Sequence, residues 1–270
     1  MKKTIVLGVA GVIAALAVGS GPSRAQELYD CVIEPSMTLE IGSAVEGIIE
    51  QVMVSRGDVV EAEQIVARLE SMAEEAALRS AEERASSNAA IEMAESQVAL
   101  LTKDAERATT LSSGQFVAET VLDRTLSELE QARLRLRQAK EEKFLAGLDK
   151  ILVEARLARR IIKTPITGVV TNRMIGPGEY VYSQAPIARI AQIDPLNVEV
   201  YLPTTLYPDV RMGDILTVRP AAPVGGSYEA EVTVVDQVFD AASDTFGVRL
   251  TLDNPERKLP AGMDCQVEIP

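Results

Sequence analysis

The sequence predicts an α+β protein in which a long antiparallel helical hairpin is inserted between two β segments. Three observations predict it. From Met72 to about Arg156 there is no proline and only Gly114 and Gly147, while the good helix formers Ala, Glu, Leu and Arg dominate. All thirteen prolines lie outside that block, and the flanks 28–70 and 161–270 read as Val- and Ile-rich strands broken by turns. The two flanks also share a local pattern. Gly47-Ile48-Ile49, Arg56-Gly57-Asp58-Val59-Val60 and Ile65-Val66-Ala67-Arg68-Leu69 correspond in order to Gly168-Val169-Val170, Gly176-Pro177-Gly178-Glu179-Tyr180-Val181 and Ile187-Ala188-Arg189-Ile190. Each copy is a Gly-led strand, a tight acidic turn and a second strand. Neither alone could bury a face, so the two are expected to close one sandwich.

In chain order the first element is a targeting signal, residues 1–25. Lys2 and Lys3 make its positive start, Thr4 to Val18 an apolar run, and Ser23-Arg24-Ala25 a small-x-small cleavage pattern. The run falls short of the roughly 20 residues that a spanning helix needs. An exported, soluble chain is the expectation, with a segment kept uncleaved as an anchor as the alternative. With 27 basic against 40 acidic groups, a formal charge of −13, it lacks the basic face that a nucleic-acid binder requires. The absence of His removes the commonest general base and zinc ligand. The two cysteines are too far apart along the chain for a zinc knuckle.

Within the helical block, apolar positions recur at three- and four-residue steps. Ile91, Ala94, Val98, Leu101, Ala105, Ala108 and Leu111 form one series. Leu122, Thr125, Leu129, Ala132, Leu136 and Ala139 form a second, and Leu145, Leu148, Leu152 and Ala155 resume it after a phase shift. Ser112-Ser113-Gly114-Gln115 separates the two. This spacing predicts two helices of about 40 residues, each roughly 60 Å long, folded back on each other.

The split half-motif resembles the biotinyl/lipoyl domain, and with a helical hairpin between its halves it is similar to the periplasmic adaptor, or HlyD-type membrane fusion protein, family. Ser43-Ala44-Val45-Glu46-Gly47-Ile48-Ile49 resembles the start of the first half, and Thr164-Pro165-Ile166-Thr167-Gly168-Val169-Val170 that of the second. Gly213-Asp214, Asn254-Pro255 and Leu259-Pro260-Ala261-Gly262-Met263 are similar to the adaptor β-barrel. The resemblance implies an elongated fold: a strand at 26–39 joining the barrel, lipoyl-like halves at 40–71 and 161–193, a coiled-coil hairpin at 72–160 and an antiparallel barrel at 194–270. A further membrane-proximal domain of fuller adaptors is not expected after Val267-Glu268-Ile269-Pro270.

The function it implies is that of a periplasmic adaptor held at the inner membrane through its pump. Its partners would be an inner-membrane transporter of RND or ABC type and an outer-membrane channel. Copies would form a ring, commonly of six. No enzyme activity, cofactor or metal is expected. A carrier role is excluded because Ala73 stands where the modified lysine would be. Met37, Met53, Met72, Met93, Met174, Met212 and Met263 are scattered, without the convergence a soft metal site needs. The alternative is an exported scaffold, or a ligand- or metal-binding protein, using the same fold without a channel partner.

The family also implies three sets of residues. Arg107, Leu111 and Ala118 fall where the hairpin tip would meet a channel, Ala118 replacing an expected Ser. Leu69, Thr164 and Pro165 mark a hinge between the lipoyl halves and the helical feet, Pro165 keeping the second helix from running into the sheet. Cys31 and Cys265 would pair, since the chain before the first half runs through the barrel.

Overall fold

The computed structural model describes residues 27–114, 118–183 and 185–269. The targeting signal expected at 1–25 lies outside them. Two compact units result, one of residues up to Glu34 together with Pro195 onward, the other Pro35–Asp194.

The second unit is a split sandwich carrying the hairpin. One layer orders β5 (Ile161–Lys163), β4 (Ile65–Leu69), β2 (Gly47–Val52) and β7 (Tyr180–Val181). The other contains β3 (Val59–Val60), β6 (Gly168–Arg173) and the first part of β8 (Pro186–Pro203). Both half-motifs contribute to each layer, which is why neither folds alone. Ile49, Val66, Leu69, Ile162 and Val181 from the first layer meet Val60, Val170, Ile187 and Ile190 from the second in one core. The repeat extends to hydrogen bonds. Ser43 Oγ, nearly fully buried, donates to the Val45 carbonyl at 2.5 Å and accepts from the Val45 amide at 3.2 Å. Thr164 Oγ1, also buried, does the same with Ile166 at 2.8 and 3.2 Å. A side-chain hydroxyl thus turns the chain at the same point of each half, satisfying its own burial.

The hairpin has three helices, not two. The outgoing arm is α1 (Met72–Ser86) and α2 (Ala89–Ser113), and the return is α3 (Glu119–Ala158). Between α1 and α2, Ser87 is extended, with φ −62° and ψ 128°. The sequence shows no Pro or Gly here, but Ser and Asn compete with the helix for backbone partners. The break also absorbs a register slip: half-buried or buried positions run Leu78, Ala81, Ala85 and then Ile91, Ala94, one residue short of a heptad. Along α3 the heptad never slips. Beyond Ala139 the inward positions are Lys143, Ala146, Lys150, Val153 and Leu157. The phase shift expected at Leu145 does not occur, and Leu145, Leu148 and Leu152 are exposed. Lys150 keeps the seam by lying along it and placing its ammonium 3.7 Å from Glu82 and 3.3 Å from Glu154. Among the described residues no helix is long and apolar enough to cross a membrane.

The first unit is an antiparallel barrel. Its strands run β1 (Glu27–Gly42), β12 (Met263–Ile269), β9 (Ile215–Pro220), β10 (Tyr228–Val235), β11 (Thr245–Leu252) and β8, and β1 pairs with β8 so that the order returns on itself. Register and burial agree. Phe246, Val248, Leu250 and Leu252 of β11 stand opposite Leu202, Val200, Val198 and Leu196 of β8, and all eight are buried. Buried Asn254 closes the loop after β11, donating to the Leu259 carbonyl at 2.9 Å and accepting from its amide at 3.1 Å. Cys31 and Cys265 are opposite each other in the β1–β12 register and are joined as a disulfide. The units divide at Glu34, earlier than the 39/40 boundary read from sequence. The reason is that β1 is one unbroken 16-residue strand contributing to both, with no turn to mark where it changes unit.

Candidate functional site

Two places on the hairpin could act: its tip and its root. Near the tip, Ala105 and Ala108 of α2 are buried against the return arm. Continuing the alternating step from Ala108 puts half-buried Ser112 on the seam, so Leu111 is not its last member, as the sequence had it. Leu111 instead stays 45% exposed, on the outer face that it shares with Arg107 one turn earlier. Lys103, Glu106, Arg107, Thr110 and Leu111 line one shallow depression there. The Arg107 guanidinium touches Asp104 Oδ1 at 3.3 Å, a pair in which Arg107 is largely exposed and Asp104 partly so. Such a pair contributes at most about 1 kcal/mol, so the remaining guanidinium donors stay available. Ala118 is exposed and extended, just before α3. Residues 115–117 lie outside the described residues.

At the root each helix meets the sheet through two residues. Leu69, fully buried at the end of β4, donates its amide to the Arg160 carbonyl at 2.9 Å. The return helix ends at Ala158, and β5 intervenes before Pro165. Pro165 is therefore not the helix stop, and Thr164 belongs to the sandwich turn described above. The residue that joins the parts is Arg160, which borders the expected hinge and to which the sequence reading assigned no contact. Its Nε and Nη2 reach Glu74 Oε1 at 3.0 and 2.5 Å, and Nη1 donates to the Glu46 carbonyl at 2.9 Å. One guanidinium thus ties α1, the foot of α3 and the turn before β2. The Glu46 carboxylate also accepts from the Tyr180 hydroxyl at 3.2 Å, and that hydrogen bond holds the phenol pKa above its usual value. A signal was available, since an Arg at a helix C-terminus followed by a strand is placed to answer an acid in the first turn of a partner helix.

The Arg160–Glu74 pair is only 22% exposed on each side, which is why it is expected to matter. Arg160→Ala should lower stability by about 1–3 kcal/mol, because a half-buried carboxylate and a carbonyl lose their donors together. Urea unfolding measures this, and an unchanged midpoint would refute it. Among the described residues no group of three or more His, Cys, Asp or Glu converges as a metal site would.

The sandwich and barrel each match a family model: a CzcB-like barrel-sandwich hybrid domain over residues 37–192, and a CusB-like β-barrel domain over 196–270. The chain belongs to the membrane fusion protein family of periplasmic adaptors. This adaptor is 28% identical over 195 residues to the UPF0194 membrane protein in the asrC 5′ region of Acidithiobacillus ferridurans, an alignment covering 61% of this chain and 58% of that protein. It is 27% identical over 231 residues to nodulation protein NolF of Rhizobium meliloti, covering 86% and 59%. The adaptor thus spans less than three-fifths of the length of the curated relatives it matches. Among solved structures, MacA from Actinobacillus actinomycetemcomitans superposes with a TM-score of 0.75 at 20% identity, covering 91% of this chain and 78% of that one. At that identity the likeness is one of fold.

Proposed function

We propose that this adaptor is the periplasmic subunit of a tripartite efflux or secretion assembly, joining an inner-membrane transporter to an outer-membrane channel. Its role is mechanical, without catalysis. The hairpin tip meets the channel, the barrel lies toward the pump, and several copies ring the conduit. The observation that carries this reading is the hairpin. The hairpin is rooted in a sandwich, its continuous return helix of 40 residues reaches about 60 Å, and the end of its outgoing arm presents an exposed face with Leu111 and the guanidinium of Arg107. Leu111 supplies apolar area to a groove between channel helices, and Arg107 supplies donors for carbonyls or carboxylates at its rim. Ala118 offers no hydroxyl to that contact.

Arg107→Asp is the direct test. The side chain is 73% exposed, so melting should stay within the small change of a surface substitution. Cross-linking from the tip to the channel should fall at least tenfold, and export with it. If both melting and channel cross-linking match wild type, the tip does not dock through Arg107.

A further inference from the structure

The hairpin root holds two cations that the fold does not use. Four cations of the return arm reach a partner on the outgoing arm: Lys140 meets Glu95 at 3.4 Å, Lys143 the Asn88 side chain, Lys150 meets Glu82 at 3.7 Å, and Arg160 meets Glu74. Arg156 does not. It falls between the levels of Lys150 and Arg160, where the outgoing arm presents Ala77 instead of a carboxylate. Arg159, just past the end of α3, lines the same groove. Among the described residues no ion pair or hydrogen bond engages the side chain of either arginine.

That groove has a volume of about 380 Å³, and Val45, Ala73, Ala77 and Val153 line it with the two arginines. Its floor is apolar, with Val153 buried and Val45 half-buried. Ala73 and Ala77 stand one turn apart on α1, and neither is large enough to fill the space between the arms. The Arg160–Glu74 pair closes the groove and adds no net charge to it, because the carboxylate cancels the guanidinium. A helix C-terminus carries a partial charge of about −0.5, which accounts for basic residues in this turn. It does not account for two guanidiniums converging on a cavity with an apolar floor. Two full charges leave the groove positive, in a chain whose formal charge is −13.

We infer that the root groove binds a small soluble anion, a phosphate or carboxylate carried on a short apolar body. Guanidinium forks match either head group through paired hydrogen bonds. The apolar body rests on Val45 and Val153, where inorganic phosphate would leave the floor unused. The volume lies within the range of small-molecule pockets. A membrane surface presents its head groups in a plane and does not reach a floor between two helices, and the acidic chain repels anionic lipid. A molecule held here touches α1, α3 and the turn before β2 together, so binding stiffens the hairpin where it leaves the sandwich.

Titration of the full chain with phenyl phosphate, followed by calorimetry and by melting, tests this. Saturable binding with a raised melting temperature is expected. Inorganic phosphate and phenol each carry one half of the probe and should bind at least roughly tenfold more weakly. Both arginine side chains are exposed and unpaired, so Arg156→Gln with Arg159→Gln should melt within the small change of a surface substitution. The same double variant should lose roughly tenfold or more in affinity for phenyl phosphate. Ala77→Leu keeps every charge but fills the groove, and should weaken binding as much. Arg79→Gln, outside the groove, should leave it unchanged. Absence of saturable binding overturns the assignment. So does an affinity that survives the double variant or Ala77→Leu, and so does inorganic phosphate binding as tightly as phenyl phosphate. Vesicles of phosphatidylglycerol that bind through Arg156 and Arg159 while phenyl phosphate does not would overturn it in favour of a lipid surface.

Discussion

Gly168→Ala is expected to destabilise the sandwich unit by about 3 kcal/mol, a drop of roughly 6–12 °C in melting temperature for a chain of this size. A Cβ at Gly168 would sit 2.4 Å from the Ala191 carbonyl oxygen and 3.0 Å from Ile190 Cγ2. That oxygen is backbone, in a strand paired with β6 through Val169–Ala191 and Val170–Ile190, so relief requires the two strands to part. At Gly47, its counterpart in the first half, the one close approach would be the tip of Arg160 at 2.6 Å, with Leu69 at an ordinary 3.6 Å. A flexible side chain can move, so Gly47→Ala should cost less, chiefly by disturbing the Arg160 contacts. Gly147 serves as the control with opposite sign. It lies inside α3 with nothing within 4 Å of the added atom, and Gly147→Ala should stabilise by about 0.5–1 kcal/mol. Thermal and urea melts of the three variants decide the matter. A Gly168→Ala chain that melts with wild type would show that β6 and β8 are not held this closely.

Removing the Cys31–Cys265 bond by a double Ser substitution should cost about 2–4 kcal/mol, with an upper figure near 5 from loop entropy for so long a loop. The bond spans 234 positions of sequence and staples β1 to β12. Without it, β1 is held in the barrel by its ladders alone, and the unfolded chain regains the freedom that a closed loop removes. Both side chains are buried, so the loss should register as a shifted urea midpoint rather than as a surface effect. Thiol labelling of denatured, unreduced protein should find no reactive cysteine. Two labels per chain, or a double variant as stable as wild type, would sink the prediction.

The hairpin was legible because helix propensity and proline exclusion are local, and eighty residues without proline leave a helical block little alternative. The split sandwich was legible from Gly47-Ile48-Ile49 and Gly168-Val169-Val170, since two copies of a half-motif that cannot bury a face alone have to meet. Which leucines face inward was not legible. Leu145, Leu148 and Leu152 read as a resumed seam because a leucine row is the usual sign of one, yet Lys143 and Lys150 take the inward places. Likewise Pro165 reads in the sequence as the stop of the second helix, whereas that helix ends at Ala158 and the contact across the root belongs to Arg160.

What the sequence determined by itself is the class of fold, the order of its parts and the place where a helical hairpin interrupts a β body, all of which follow from composition and short-range periodicity. The packing of one arm on the other decided the rest. The heptad phase of α3 is set by the whole length of its contact with α1 and α2, and the partner arm absorbs its own one-residue slip at Ser87. That phase puts Phe144, Leu145, Leu148, Ile151 and Leu152 of the return helix on the outside. It also leaves Leu111 beside Arg107 on an open face, a placement that depends on which side of the helix the other arm covers and not on the residues alone.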